Sequence, residues 1–401
     1  MPLDPVAPQL FTPEESAQNE ARKRAMMELF VSEEAVLVIG AGCSVRLQYP
    51  SWPALLEKLT ALASEIAADR SAAFNPDATQ ARDYPLQYAG SIKTFIETCD
   101  GRLDKYYGLL SGEFKQRDVD SFHQQLVQIP ARGILTTNYD PSLDVALEMT
   151  DRSTTTADRF LIIEDDSARL VSEFLASLNR GSGIPRRIAH LHGRYNQPKG
   201  IILTDADYVD KYRSRLNGAQ RTAIHDVFRD GASSQQQALS IAGLIEQLES
   251  AVPPWSLHRK LLWSILATRR VVFIGFSLSD PYLAQMLALV ADDLWRWKEV
   301  HHFAIMALPD VDTTETKLQA EQFQRKYAVG VVFYENRAPQ HHQGLTSLVE
   351  EIANACGVAA EPTLQVQPVA PGAPAAAPAP QPEWINRNNR IMKQRATKDA
   401  D

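Results

Sequence analysis

VLVIGAGCS, residues 36–44, opens with four apolar residues in a row and then breaks at Gly40-Ala41-Gly42. A short continuous apolar run of this kind reads as a strand buried on both faces, the pattern of parallel strands in α/β proteins. The glycines sit where that strand would end, and open α/β sheets bind ligands at the carboxyl ends of their strands. Glycine lets the backbone approach a pyrophosphate, and the amides that follow can bind it. The same residues also make an ordinary tight turn, and the third glycine of the usual dinucleotide fingerprint is absent. Ser44 and Arg46 add a hydroxyl and a cation suited to phosphate, although an exposed arginine is commonly just solvated.

The pattern recurs along the chain. ILTTNYD at 134–140 and IAHLHGR at 188–194 each run from an apolar stretch into a polar cluster. VVFIGF (271–276), HFAIMAL (302–308) and GVVFY (330–334) are the clearest strands. Gly133–Thr136, Phe160–Ile163, Arg187–Leu191 and Ile201–Leu203 carry weaker strand signals. Helical spacing fills the intervals. Residues 18–31 predict a helix after a Pro-rich arm at 1–17. Ser51-Trp52-Pro53 reads as a capped helix start. Two stretches, near 72–128 and 205–266, read as helical insertions, the second including QALSIAGLIEQL at 237–248. The expected fold is α/β, a Rossmann-like doubly wound parallel sheet with helical insertions. The expected domain covers 31–357 and follows an N-terminal arm and helix over 1–30. A Pro/Ala-rich linker at 358–383 leads to a basic segment at 384–401, a candidate docking element or a solubilising tail.

Composition narrows the classes. Of the 401 residues, 44 % are apolar and 22 % charged, ordinary for a globular protein. A formal net charge of −8 argues against broad nucleic-acid binding. Cys43, Cys99 and Cys356 are an odd count without spacing, which fits a reducing compartment and no zinc module. The N-terminus lacks a basic region and apolar core, and no apolar run approaches the roughly 20 residues of a membrane span. A cytoplasmic location is expected, with no membrane partner.

Four groups of residues carry candidate chemistry. Asn138 lies two residues past a strand and suits a ribose hydroxyl, though turns also favour Asn. Asp140-Pro141 suits orienting a proton donor or capping a helix. His192 precedes Gly193, and its imidazole suits general-base work near neutral pH. His190 is expected to share its face. Gly275 and Ser277 end another strand and could line the adenosine half of a dinucleotide, or form a plain turn before the Asp280-Pro281 helix start. The doublets His301-His302 and His341-His342 have no metal-ligand partners at suitable spacing and read as surface residues.

Taken together and in this order, GAGCS (40–44), TTNYD (136–140), HLHG (190–193) and GFSLSDP (275–281) resemble the sirtuin family. The resemblance is closest to its prokaryotic NAD-hydrolysing branch of antiviral defence systems, and it covers about residues 31–357. The strand at Gly330–Tyr334 resembles the family's last nucleotide-contacting loop. The four-cysteine zinc module of deacylating sirtuins has no counterpart, and LQYPSWPALL stands where they carry an Ile-Pro-Asp-Phe-Arg type of stretch. The resemblance therefore implies hydrolysis of NAD rather than deacylation.

It further implies the roles. Gly40, Ala41, Gly42, Ser44 and Arg46 would hold the pyrophosphate, and Gly275, Ser277 and Tyr334 the rest of the nucleotide. Asn138 would hold the ribose or the attacking water, and His192 would accept a proton. Asp140 would orient one of these or merely cap its helix. NAD enters as substrate and no zinc is expected. The implied partners are further copies of the chain and an activating helicase-type ATPase or Argonaute-type protein, without direct sequence-specific nucleic-acid binding. The alternatives are a non-catalytic sensor of NAD or ADP-ribose and a nuclease subunit working with such a partner.

Overall fold

The computed structural model describes residues 10–101, 103–151, 160–163, 168–179, 187–212, 256–276, 281–294, 299–310, 313–336 and 342–358. Its strands are β1 (Ala35–Ile39), β2 (Gly133–Thr136), β3 (Phe160–Ile162), β4 (Ile188–His190), β5 (Arg270–Ile274), β6 (His302–Pro309) and β7 (Val329–Asn336). They form one sheet in the order β3-β4-β2-β1-β5-β6-β7, and every neighbouring pair is parallel. The chain starts at the centre with β1, winds to one edge through β2, and returns beside β1 with β5 before winding to the other. The winding reverses between β1 and β5, the place where open sheets leave a crevice at their carboxyl ends.

The helices are α1 (Pro13–Val31), α2 (Trp52–Asp69), α3 (Ala78–Asp83), α4 (Pro85–Asp100), α5 (Asp104–Glu113), α6 (Ser121–Gln128) and α7 (Ser142–Thr150). They continue with α8 (Ala168–Ser177), α9 (Asp205–Tyr212), α10 (Leu257–Thr268), α11 (Pro281–Asp293), α12 (Thr313–Tyr327) and α13 (Gln343–Ala355). Successive side chains of a strand point to opposite faces, so the apolar run of β1 feeds two cores. Ala35, Leu37 and Ile39 pack with Phe30 of α1, Leu126 of α6, Leu147 of α7 and Ile352 of α13. Val36 and Val38 pack with Phe174 of α8, Ile265 of α10, Met286 of α11 and Phe323 of α12. No described helix is long and apolar enough to cross a membrane.

Between β1 and β2 the chain forms α2 to α6, of which α3 to α6 fall in the stretch near 72–128, and α2, α4 and α5 share a core of their own. Leu55, Leu59 and Ile66 of α2 meet Ile92 and Ile96 of α4 and Leu110 of α5. Ser51 caps α2 by accepting from the Ala54 amide. Ile201 and Leu203 pack into this same core. Here the sequence reading needs correction, because residues 201–203 form no strand. The Ile202 amide donates to the His192 carbonyl, and the Ile202 carbonyl accepts from the Tyr139 hydroxyl at 2.7 Å. An apolar triplet alone does not distinguish a sheet partner from a segment buried under helices.

Two further readings change. The first helix begins at Pro13 rather than residue 18, because Thr12 and Glu15 form a capping box that the Pro-rich arm obscured. His301 and His302 are not surface residues. His302 opens β6 fully buried, and its Nδ1 accepts from the Val271 amide at 3.3 Å. Burial holds its pKa well below the ordinary imidazole value. At the sheet's β7 edge, Asn19 of α1 exchanges two hydrogen bonds with the Phe333 backbone, at 3.0 and 2.8 Å. A side-chain amide thus occupies an edge that would otherwise invite another strand. Most of the second insertion (213–255), the linker from residue 359 and the basic segment lie outside the described residues.

Candidate functional site

In register, Ile39 of β1 lies level with Thr136 of β2 and Ile274 of β5, and Thr136 lies level with His190 of β4. Four strands therefore release their loops at one height, and those loops are the segments that drew attention in the sequence. The two glycine loops interlock. Gly40 donates to the Ile274 carbonyl at 2.9 Å and Gly42 to the Gly275 carbonyl at 3.0 Å. A Cβ on Gly40 would lie 2.7 Å from the Gly275 oxygen, and one on Gly42 2.9 Å from it. Gly275 itself has φ +72°, and a Cβ there would meet the Cys43 sulfur at 2.7 Å. These glycines are required by the approach of one loop to the other. Gly275→Ala is expected to cost more than about 1 kcal/mol, from the left-handed backbone and the clash together. Urea denaturation would measure it.

Over the interlocked loops lies a cavity of about 320 Å³. Ala41, Ser44, Asn138, Asp140, His192 and Gly275 all line it. Thr136 starts the polar order at its floor. Its hydroxyl donates to the Ile39 carbonyl and accepts from the Asn138 amide at 3.0 Å, which turns the chain out of β2. The Asn138 side-chain nitrogen then donates to Ser44 Oγ at 2.9 Å and to the Gly40 carbonyl at 3.2 Å. With the nitrogen so engaged, the buried carboxamide oxygen has no hydrogen-bond partner among the described residues. Buried acceptors are nearly always satisfied, so this oxygen marks a place for an external donor.

Asp140 is buried beneath Asn138. One carboxylate oxygen accepts from the Ser142 amide at 3.0 Å and from the Ser142 hydroxyl, so it caps the start of α7. Burial pushes its pKa up, against hydrogen bonds from Ser142 and Ser44 that pull it down. A raised native pKa stabilises the fold below the unfolded-state value, and that contribution is lost as pH rises through the native value. Asp140→Asn carries no charge to bury. It is therefore expected to melt higher than the wild type at neutral pH, with the gap closing as pH falls through the carboxylate range. A gap independent of pH would contradict this.

His192 follows the end of β4, and Gly193 at φ +82° packs against Gly200 so closely that a Cβ would fall 2.4 Å from its carbonyl. His192 Nδ1 lies 3.4 Å from the Tyr208 hydroxyl of α9, and its ring meets Tyr208 and Tyr212 edge-on. His190 does not accompany it into the cavity. It is fully buried, with Nε2 2.8 Å from Asp144 Oδ1 and Nδ1 3.4 Å from the Asn138 carbonyl. The other oxygen of Asp144 pairs with Arg194 at 2.5 Å. One carboxylate in the first turn of α7 thus ties together the Asn138 loop, the end of β4 and the turn that carries His192.

Other predicted residues go elsewhere. Arg46 pairs with Asp120 at 2.6 Å, stacks over Phe122 and donates to Thr346, so it does not line the cavity. Tyr334 contacts His342 at 2.7 Å and does not line it either. Ser277, Asp280 and His341 lie outside the described residues. Sequence reasoning missed the aromatic wall of Tyr49, Trp52, Phe114, Tyr208 and Phe276. It also missed the Asp144–Arg194 link, although Asp144 lies one helical turn beyond Asp140. Cys43 is buried and does not line the cavity, and burial pushes its thiol pKa up to about 12.

Compared with protein-family models, residues 132–332, half of the chain, match the model described as SIR2-like domain. The match begins after β1 and takes in Asn138, His192 and Gly275, while residues 40–44 precede it. A comparison with curated proteins finds no match.

Proposed function

The chain belongs to the SIR2-like family, and from that premise we propose that it is an NAD⁺ glycohydrolase, cleaving the nicotinamide–ribose bond to give nicotinamide and ADP-ribose. SIR2-like domains bind NAD. The observation that carries the reading is the carboxamide oxygen of Asn138, buried and without a partner among the described residues, in the same cavity as His192. Nicotinamide is a good leaving group and the ribose becomes oxocarbenium-like as the bond breaks. The protein's task is to hold the sugar, exclude bulk water and take up a proton. Asn138 Oδ1 accepts from a ribose hydroxyl or from the attacking water. His192 accepts the proton released from either. Asp140 fixes the loop that bears Asn138, through Ser142 on one side and Ser44 on the other. The aromatic wall shields the reacting sugar.

Such an enzyme, unchecked, would drain the NAD of its own cell. The proposal therefore includes control, with the chain acting as an NAD-depleting effector of antiphage defence. It would be switched on by self-assembly or by a helicase-type or Argonaute-type partner. The test is incubation of the purified chain with NAD, with nicotinamide followed by chromatography, repeated with the partner and nucleic acid. Nicotinamide release in either condition supports hydrolysis. Binding of NAD without release in both would make the cavity a sensor instead.

A further inference from the structure

A second cavity, of about 280 Å³, opens at the opposite end of the sheet. The register places Ala35 beside Arg270 and Val36 beside Gly133. Glu34, Arg132 and Arg269 therefore enter the sheet side by side. All three line this cavity, together with Arg270, Thr268 and Leu178. Leu178 packs tightly on Gly133, where a Cβ would lie 2.4 Å from it, so one wall is firm and apolar. β1 separates the two cavities by its five residues, roughly 16 Å at about 3.3 Å per residue.

Two of the arginines are oriented by uncharged acceptors. Arg269 donates to the side-chain oxygen of Asn179 at 2.5 Å, and Arg270 Nε donates to the His301 carbonyl at 2.6 Å. Both acceptors are uncharged. None of the three guanidiniums pairs with a carboxylate among the described residues. Three like charges converging on one concavity repel each other, and an anion relieves that. The neighbouring His301 has its pKa held down to about 4, chiefly by burial and further by the charge of Arg270. Each guanidinium presents several N–H donors in a planar fork that matches phosphate oxygens.

We propose that this cavity binds a small phosphorylated anion, at a site separate from the catalytic cavity and independent of how that cavity is read. Its volume lies near the lower end of the roughly 300–1,000 Å³ of ligand sites. That suits inorganic phosphate, pyrophosphate or a single sugar phosphate rather than a dinucleotide. Glu34, the one carboxylate lining it among the described residues, sets a limit on negative charge and disfavours a long polyanion such as a nucleic-acid strand.

The experiment is calorimetric titration of the full chain with inorganic pyrophosphate at constant ionic strength, using wild type, Arg132→Gln, Arg269→Gln and Glu34→Gln. Saturable binding is expected, weakened about tenfold or more by each arginine change, since a hydrogen bond to a charged group contributes roughly 1.5–3 kcal/mol. Glu34→Gln should tighten binding. Absence of saturable binding by wild type overturns the proposal. So does binding that ignores the arginines. Tighter binding of a single-stranded oligonucleotide with the same arginine dependence would replace the small anion with a polymer. If an arginine variant fails to fold, Glu34→Gln still decides, because no tightening counts against the site.

Discussion

His192→Ala is expected to lower nicotinamide release by roughly 10²–10⁴-fold, the contribution of a well-placed general base. The imidazole is 5 % exposed, lines the cavity and has a tyrosine hydroxyl 3.4 Å from Nδ1. Nothing else lining that cavity among the described residues is as well suited to take up a proton near neutral pH. Asp140 is committed to Ser142, and Cys43 is held as a thiol. His192→Gln keeps a polar side chain of similar reach without the base, so it should fall nearly as far while its melting curve stays close to wild type. Asn138→Ala removes the oxygen that has no partner among the described residues, and its loss should also be large and fall mainly on turnover. Full turnover in a folded His192→Gln would end the general-base assignment. Full turnover in both positions would end the hydrolase site as drawn.

The largest effect on stability is expected from Asp144→Ala. Asp144 is 1 % exposed and faces His190 on one oxygen and Arg194 on the other. Removing a partner from a buried ion pair typically costs 3–5 kcal/mol, because the remaining charge stays buried without compensation. That is a large share of the roughly 5–15 kcal/mol that holds an ordinary domain together. Asp144→Asn, which keeps an acceptor for His190, should lose less. Removing Arg194 as well should restore part of the loss, since the stranded cation goes with it, and a double-mutant cycle by urea denaturation would measure that coupling. A cost below about 1 kcal/mol for Asp144→Ala would mean that water already reaches this cluster.

Most of the sheet was legible because parallel strands buried on both faces must be apolar throughout. VLVI, VVFI and GVVF could hardly be anything else. Ile201–Leu203 shows the limit of that signal. Three apolar residues are equally at home under α2, α4 and α5, and only the rest of the fold decides. The cavity's polar residues were legible at Ser44, Asn138, Asp140 and His192 because each follows a strand end at one level of the sheet. Arg46 was not, since its charge finds Asp120 and the face of Phe122. Tyr208 and the other aromatic residues come from elements far apart in the chain. No local spacing announces that they will converge. In sequence the glycines suit a phosphate-binding turn, whereas the geometry ties them to one another.

The position of β1 has a practical consequence for anyone trimming this protein. The region resembling the family starts at Arg132, yet β1 lies between β2 and β5 in the middle of the sheet. A fragment cut at that boundary would lose its central strand and split into two half-sheets. Each half would show a long apolar edge with its backbone groups unpaired, a template for aggregation. The minimal folding unit is therefore not the recognisable half of the sequence. It must reach back at least through Ala35.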